Sequence, residues 1–126
     1  MISILALTAT ATLIGLVVFQ LALIAGAPLG KYAWGGTYTK LPTKLRIASS
    51  TSLALYGVFA AFILSKAGIL PVIINTDVLN AGMWIFTVYF FLGIFLNGIS
   101  RSTHERNLMT PIAAVLAVLF LLVALS

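Results

Sequence analysis

Two short segments hold nearly all the side chains in this chain that could do chemistry. One carries Lys31, Tyr32, Trp34, Tyr38, Lys40, Lys44 and Arg46, and the other Asn97, Ser100, Arg101, His104, Glu105, Arg106 and Asn107. Arginine presents a planar fork of N–H donors that matches phosphate or carboxylate oxygens, and Gly35-Gly36 lets backbone N–H groups approach such an anion. On these residue types the candidate ligand or headgroup site is Lys31, Trp34, Gly35, Gly36, Arg46, Asn97, Arg101, His104, Glu105 and Arg106. The same residues admit a simpler reading with no bound ligand. Tyr32, Trp34 and Tyr38 then form an interfacial aromatic belt, the cations meet anionic headgroups, and Glu105 caps a helix and pairs with Arg46 or Arg101.

Catalysis is harder to build from this set. A general base would have to be His104 or Glu105, and consecutive residues on a helix point about 100° apart, so the two are badly placed to serve one atom. One His, one Asp and one Glu do not make a three-ligand metal site, and cysteine is absent. No phosphate-binding loop, dinucleotide fingerprint or nucleophile elbow occurs, so no metal and no cofactor is expected.

The elements that must hold these residues follow from composition. Hydrophobic residues make up 62% of the 126 and charged ones 7%, too few to cover the surface of a water-soluble domain. A mean hydropathy of +1.19 places the whole chain in a bilayer. Four apolar blocks, at about residues 2–26, 45–65, 78–99 and 103–126, each approach the roughly 20 residues that cross the hydrocarbon core. They are continuously apolar rather than alternating, which excludes a β-barrel. The expected fold is all-α: a single integral membrane domain, residues 1–126, built as a four-helix transmembrane bundle.

Charge sets the expected orientation. The net charge is +5, and Lys31, Lys40, Lys44, Arg46, Arg101 and Arg106 all fall in or beside the first and third connections, whereas Lys66 and Asp77 flank the second. The positive-inside rule then puts the first and third connections in the cytoplasm and both termini outside. The basic excess reads as a topology signal, and without a nucleic-acid-reading module no nucleic-acid partner is expected. Ala25-Gly26-Ala27 has the form of a signal-cleavage site, but the first three residues carry no basic side chain and the apolar stretch is too long, so the first helix is expected to be retained.

Local patterns complete the expectations. Thr8, Thr12, Gly15, Phe19, Ala22 and Gly26 share one helical face and read as a packing seam, as do Gly57 and Ala61 in the second helix. Gln20 needs a hydrogen-bond partner on another helix. Pro42 suits the first turn of the second helix, the run Ser49-Ser50-Thr51-Ser52 suits packing, and Asp77 suits a structural cap. Trp84, Tyr89 and the cluster Phe86, Phe90, Phe91 and Phe95 read as lipid-facing or core aromatics. If the last helix began at Pro111 it would reach only about 24 Å, so Ser102-Thr103-His104-Glu105 reads as a capping box, with a kink at Pro111. A slightly longer third helix would set Asn97, Ser100, Arg101 and His104 on one face.

The runs "FQLALIAGAPLGKYAWGG" and "LPTKLR", followed by "NGISRSTHERN" before a proline-containing last helix, resemble a group of functionally uncharacterised small four-span bacterial membrane proteins. The resemblance implies the four-span topology and a bacterial inner membrane, and transfers no catalytic residue. The functional expectation is a non-enzymatic membrane protein, a lipid- or partner-binding module or an accessory subunit. Its partners would be membrane lipids and a larger membrane complex or a homo-oligomer. The alternative is a small oligomeric transporter or channel with a polar path through Gln20, the second-helix hydroxyls and Asn97. An enzyme acting on a lipid headgroup ranks third.

Overall fold

Each apolar run closes its own backbone hydrogen bonds as a helix, which leaves no unpaired backbone group along the span facing hydrocarbon. The computed structural model describes residues 1–126 and contains α1 (Ile2–Ile24), α2 (Thr43–Lys66), α3 (Thr76–Gly98) and α4 (Thr103–Ala124), with no strand. At 22 to 24 residues the helices are about 33–36 Å long, and all four are long and apolar enough to cross a bilayer. Their outer faces carry Ile4, Val18, Leu92, Phe95 and Leu96, each more than half exposed. Such a surface matches lipid and would be an aggregation hazard in water. The chain is a multi-pass integral membrane protein.

Caps account for the helix ends. Past the last turns of α1 and α2 a glycine enters the left-handed region, Gly26 at φ 92° and Gly68 at φ 76°. The following N–H then reaches back across the turn, from Ala27 to the Ala22 carbonyl and from Ile69 to the Leu64 carbonyl. These are Schellman closures, which glycine adopts without strain. Asn75 Oδ1 accepts from the Val78 N–H at 3.0 Å to start α3, and Ser102 Oγ accepts from the Glu105 N–H at 3.2 Å to start α4. Asp77 therefore sits in the first turn of α3 and the cap is Asn75, while Pro42 stands one position ahead of α2, with extended ψ. α4 runs unbroken through Pro111.

The helices form an up-and-down bundle in which α1 packs on α2, α2 on α3, α3 on α4, and α4 closes back on α1. One end carries the first and third connections; the other carries the second connection and both termini. At the terminal end the bundle is solid: Ala6, Ala9 and Leu13 of α1, Phe59 and Ile63 of α2, Met83 of α3, and Leu116, Phe120 and Val123 of α4 form one core. Phe59 is its centre, with ring centroids of Phe86, Phe90 and Phe120 at 4.7, 4.9 and 6.3 Å. Lys66 Nζ donates to Asn80 Oδ1 at 2.7 Å, and Ser65 Oγ accepts from the N–H groups of Val72 and Ile73, which ties the second connection to the same end.

The packing seams differ from the expected ones. The buried face of α1 is Ala6, Ala9, Leu13, Leu16 and Leu23, while Thr8 and Gly15 face outward. Thr8 and Thr12 donate their hydroxyls to the Ile4 and Thr8 carbonyls at 2.8 and 2.9 Å, so neither needs a protein neighbour to be stable in lipid. Gly57 likewise has no neighbouring atom within 4 Å of where a Cβ would stand. Within the helices, the glycine that does admit a close neighbour is Gly82, where a Cβ would lie 2.1 Å from the Phe62 ring.

Candidate functional site

At the connection end the four helices do not meet in a solid core. They surround a cavity of about 420 Å³, floored by Leu16, Phe90 and Leu116 and roofed by the first connection through Tyr32, Ala33 and Trp34. The wall includes Phe19, Tyr89, Met109 and Ile112, and two small residues, Gly93 and Ala113, leave room where α3 faces α4. Tyr89 stands nine residues before the end of α3, about 13 Å into the bundle at the usual rise.

The roof is a folded loop. Gly30 donates its N–H to the Thr39 carbonyl at 2.8 Å and lies so close to the returning strand of chain that a Cβ would be 1.9 Å from the Tyr38 oxygen. Trp34, Gly35 and Gly36 follow one another in the left-handed region, at φ 51°, 75° and 75°. Tryptophan there is strained by about 1–2 kcal/mol, and its indole Nε1 donates to the buried Ser49 Oγ of α2 at 3.2 Å. Leu23, Ala33 and Leu41 form a small second core that pins the loop to the end of α1. Arg46 Nε, from the first turn of α2, donates to the Ile24 carbonyl at 2.7 Å and closes that end.

The third connection docks beneath the first. Ser102 Oγ donates to the Lys31 carbonyl, and Gly36 is packed so tightly on Ser102 that a Cβ would be 2.5 Å from its Cβ. The Tyr32 ring meets the edge of His104 at 5.5 Å, and Lys31 Nζ lies 5.3 Å from the Tyr32 centroid. Glu105 departs from the expected capping box. Its carboxylate accepts from the Ser100 hydroxyl, and Ser100 Oγ in turn accepts from the Ser102 N–H at 3.2 Å, so a serine stands between the two ends of the motif. The expected pairing of Glu105 with Arg46 or Arg101 is not made, because α3 stops at Gly98 and the short link lays Ser100 against the carboxylate. For the same reason Asn97, Ser100, Arg101 and His104 do not share a helical face.

Of the candidate residues, Trp34, Asn97 and Glu105 line the cavity. The others stand around it. Arg46 is engaged with Ile24, Arg106 donates to the Ser100 carbonyl at 3.0 Å, and Arg101 and His104 are exposed. Gly36 has its N–H on the Ala33 carbonyl at 2.9 Å, and Gly35 faces open space. His104 and Glu105 do not converge: the exposed imidazole packs on Tyr32, while the Glu105 carboxylate is held by the Ser100 hydroxyl.

Gln20 and Tyr56 also line the cavity, Gln20 expected from the sequence only as a helix-to-helix link and Tyr56 not singled out at all. Gln20 Nε2 donates to the Tyr56 hydroxyl at 3.4 Å, the expected link from α1 to another helix, but Gln20 Oε1 is buried with no partner. Tyr56 itself carries no sequence signal, since a tyrosine in an apolar helix reads equally well as core or lipid-facing. Asn97 is less demanding, because its Nδ2 bonds the Gly93 carbonyl at 2.8 Å within its own helix. The chain matches no protein-family model, no curated protein and no solved structure.

Proposed function

We propose that this protein is a non-enzymatic lipid-binding module of the bacterial inner membrane, holding one apolar chain in the cavity at its connection end. The carrying observation is the contrast between the two ends of the bundle: a close-packed aromatic core at one, and at the other a cavity of about 420 Å³ with apolar walls and a few polar groups. Pockets of this size and lining are the usual form of sites for small amphiphiles. At roughly 27 Å³ per methylene, close to the share of volume that a water-sized group occupies in a liquid, the cavity suits a single alkyl chain and not two. Lys31, Arg46, Arg101 and Arg106 then stand at the rim, towards bilayer phosphates on the cytoplasmic side.

The solid core below Leu16, Phe90 and Leu116 favours a holder over a conduit, since a solute entering the cavity meets close-packed rings. Native mass spectrometry after mild detergent extraction tests the reading. The wild-type chain should retain a lipid-sized mass that is lost in Gly93→Leu, where a Cβ would meet Ala113 at an ordinary 3.7 Å and the longer side chain would enter the cavity. Bare protein in both cases, or equal retention by both, would refute it.

A further inference from the structure

The cavity is closed between three pairs of helices and open between the fourth. α3 and α4 meet where Gly93 faces Ala113, and α1 is tied to α2 through Gln20 and Tyr56. Between α1 and α4 a groove of about 240 Å³ backs onto the cavity from outside, but Leu16, Phe19, Met109 and Ile112 border both spaces and stand as a wall between them. α2 and α3 behave differently. Their contact runs from Lys66 and Asn80, through Phe62 against Gly82, to Phe59 against Tyr89 at 5.3 Å between ring centroids. Gly82, Phe86, Tyr89, Gly93 and Leu96 form one stripe of α3, so the part of it nearer the connections points the same way. There it meets no helix: the atoms nearest a Cβ on Gly93 belong to Ala113 and Asn97, and Leu96 is 63% exposed.

Tyr89, Leu92 and Leu96 all line the cavity while about half or more of each is exposed, which marks them as one lip of its mouth. α2 supplies the other lip with a single lining residue, Tyr56. The cause lies in what holds α2. Its connection-end half is drawn towards α1 and the first connection, by Arg46 on the Ile24 carbonyl, Tyr56 on Gln20 and Ser49 on the Trp34 indole.

The position of the mouth identifies what passes through it. Tyr89 and Leu96 are seven residues apart, about 10 Å along the axis, and both lie in the half of α3 next to the connections. An opening at that depth faces hydrocarbon, so what reaches it is a lipid tail. Bilayer lipids carry two tails and the cavity has room for one. A slot open along its length lets the second tail stay in the bilayer, which an entrance through the roof would not. At the membrane-surface end of the slot, exposed Lys44 stands in the first turn of α2 and exposed Arg101 just beyond α3, a pair of cations suited to an anionic headgroup.

Resting on the lipid-binding reading above, we infer that the cavity is loaded sideways between α2 and α3 by an anionic two-chain lipid of the leaflet at the connection end. One chain lies inside, the other remains in the bilayer, and the headgroup sits at Lys44 and Arg101.

The test places the full chain in nanodiscs with phosphatidylglycerol carrying a diazirine midway along one chain, and maps the residues labelled on photolysis by mass spectrometry. Label should reach Phe90 and Leu116, 5% and 1% exposed, which lipid outside the bundle cannot touch. Signals are taken relative to label on outward-facing Phe95. Leu96→Trp sets a larger ring in the mouth and should cut floor labelling about tenfold, the effect of 1.4 kcal/mol of crowding. Gly15→Leu, which fills the groove between α1 and α4, should leave it unchanged. Lys44→Gln combined with Arg101→Gln should lower it several-fold, each surface cation contributing about fivefold.

Floor labelling that survives Leu96→Trp, or is lost in Gly15→Leu, would overturn the inference by moving the entrance elsewhere. Floor labelling by a lysophosphatidylglycerol probe but not by the two-chain probe would overturn it too, as would labelling indifferent to loss of both cations. Each of these results leaves the lipid-binding reading standing if Gly93→Leu clears the floor of label. Label confined to outward residues with both probes, or floor labelling indifferent to Gly93→Leu, would remove that reading as well.

Discussion

Gly35 and Gly36 make a matched pair in which one variable can be changed at a time. Both hold φ at 75°, but a Cβ on Gly36 would lie 2.5 Å from Ser102 Cβ, 2.7 Å from its Oγ and 3.2 Å from the Lys31 carbonyl oxygen, whereas a Cβ on Gly35 meets nothing within 4 Å. Gly35→Ala should therefore lose only the conformational term, about 1 kcal/mol for an L residue in the left-handed region. Gly36→Ala should lose that plus the docking of Ser102 and its hydrogen bond to Lys31, worth about 1 kcal/mol, and the overlap with Ser102 Cβ raises the total to about 2–3 kcal/mol. The strain acts where the first connection meets the third, so it should appear as local opening of the roof. Hydrogen exchange of residues 30–39 in micelles is the assay. Exchange should accelerate about fivefold in Gly35→Ala and about 30-fold to 140-fold in Gly36→Ala, taking a factor of ten per 1.4 kcal/mol. Ser102→Gly in the Gly36→Ala background should recover part of the difference by making room. If the two alanine variants exchange alike, the close approach of the connections is not what holds the roof, and the reasoning fails.

Other perturbations test the rest of the framework. Phe59→Ala should destabilise the bundle by about 3 kcal/mol, the lower part of the range for large core aromatics, because the loss in lipid is of ring contacts rather than of transfer from water; unfolding by SDS measured by circular dichroism checks it. Arg46→Met should cost about 2 kcal/mol through the lost charged hydrogen bond to Ile24, with faster hydrogen exchange at residues 22–27 as the readout and unchanged exchange as the contrary result. The chain has no native cysteine, so Thr76→Cys should react with an impermeant maleimide in intact cells and Thr37→Cys should not; labelling of Thr37→Cys would reverse the cytoplasmic assignment of the first connection.

The helices were legible before any coordinates because their cause is local and strong. Charge is excluded from four runs long enough to span hydrocarbon, and Gly26, Pro42, Asn75 and Ser102 punctuate them within a residue or two of the observed ends. Gly35-Gly36 was legible as a place where backbone can be approached closely, there by an anion, and the close neighbour proves to be the third connection, through Gly36 and Ser102. Which helical face packs was not legible. In lipid the inward and outward faces of a helix are equally apolar, so periodicity carries little information, and threonines that bond back to their own turn imitate a seam, as Thr8 and Thr12 do.

The candidate site shows the same division. Residue type alone nominates Arg46, Arg101 and Arg106 for an anion, because a guanidinium is always charged and always seeks oxygen. Tertiary structure gives two of them backbone carbonyls, Ile24 and Ser100, as that oxygen. Sequence by itself determined the membrane, the number of spans and the end at which polar chemistry collects, since each follows from the hydration cost of side chains taken one at a time. Only the fold decided that Leu16, Gln20, Tyr56, Gly93 and Glu105 would border one cavity. That outcome depends on where four helices separate, and separation is set by the volumes of residues facing each other across the bundle, a property no single segment carries.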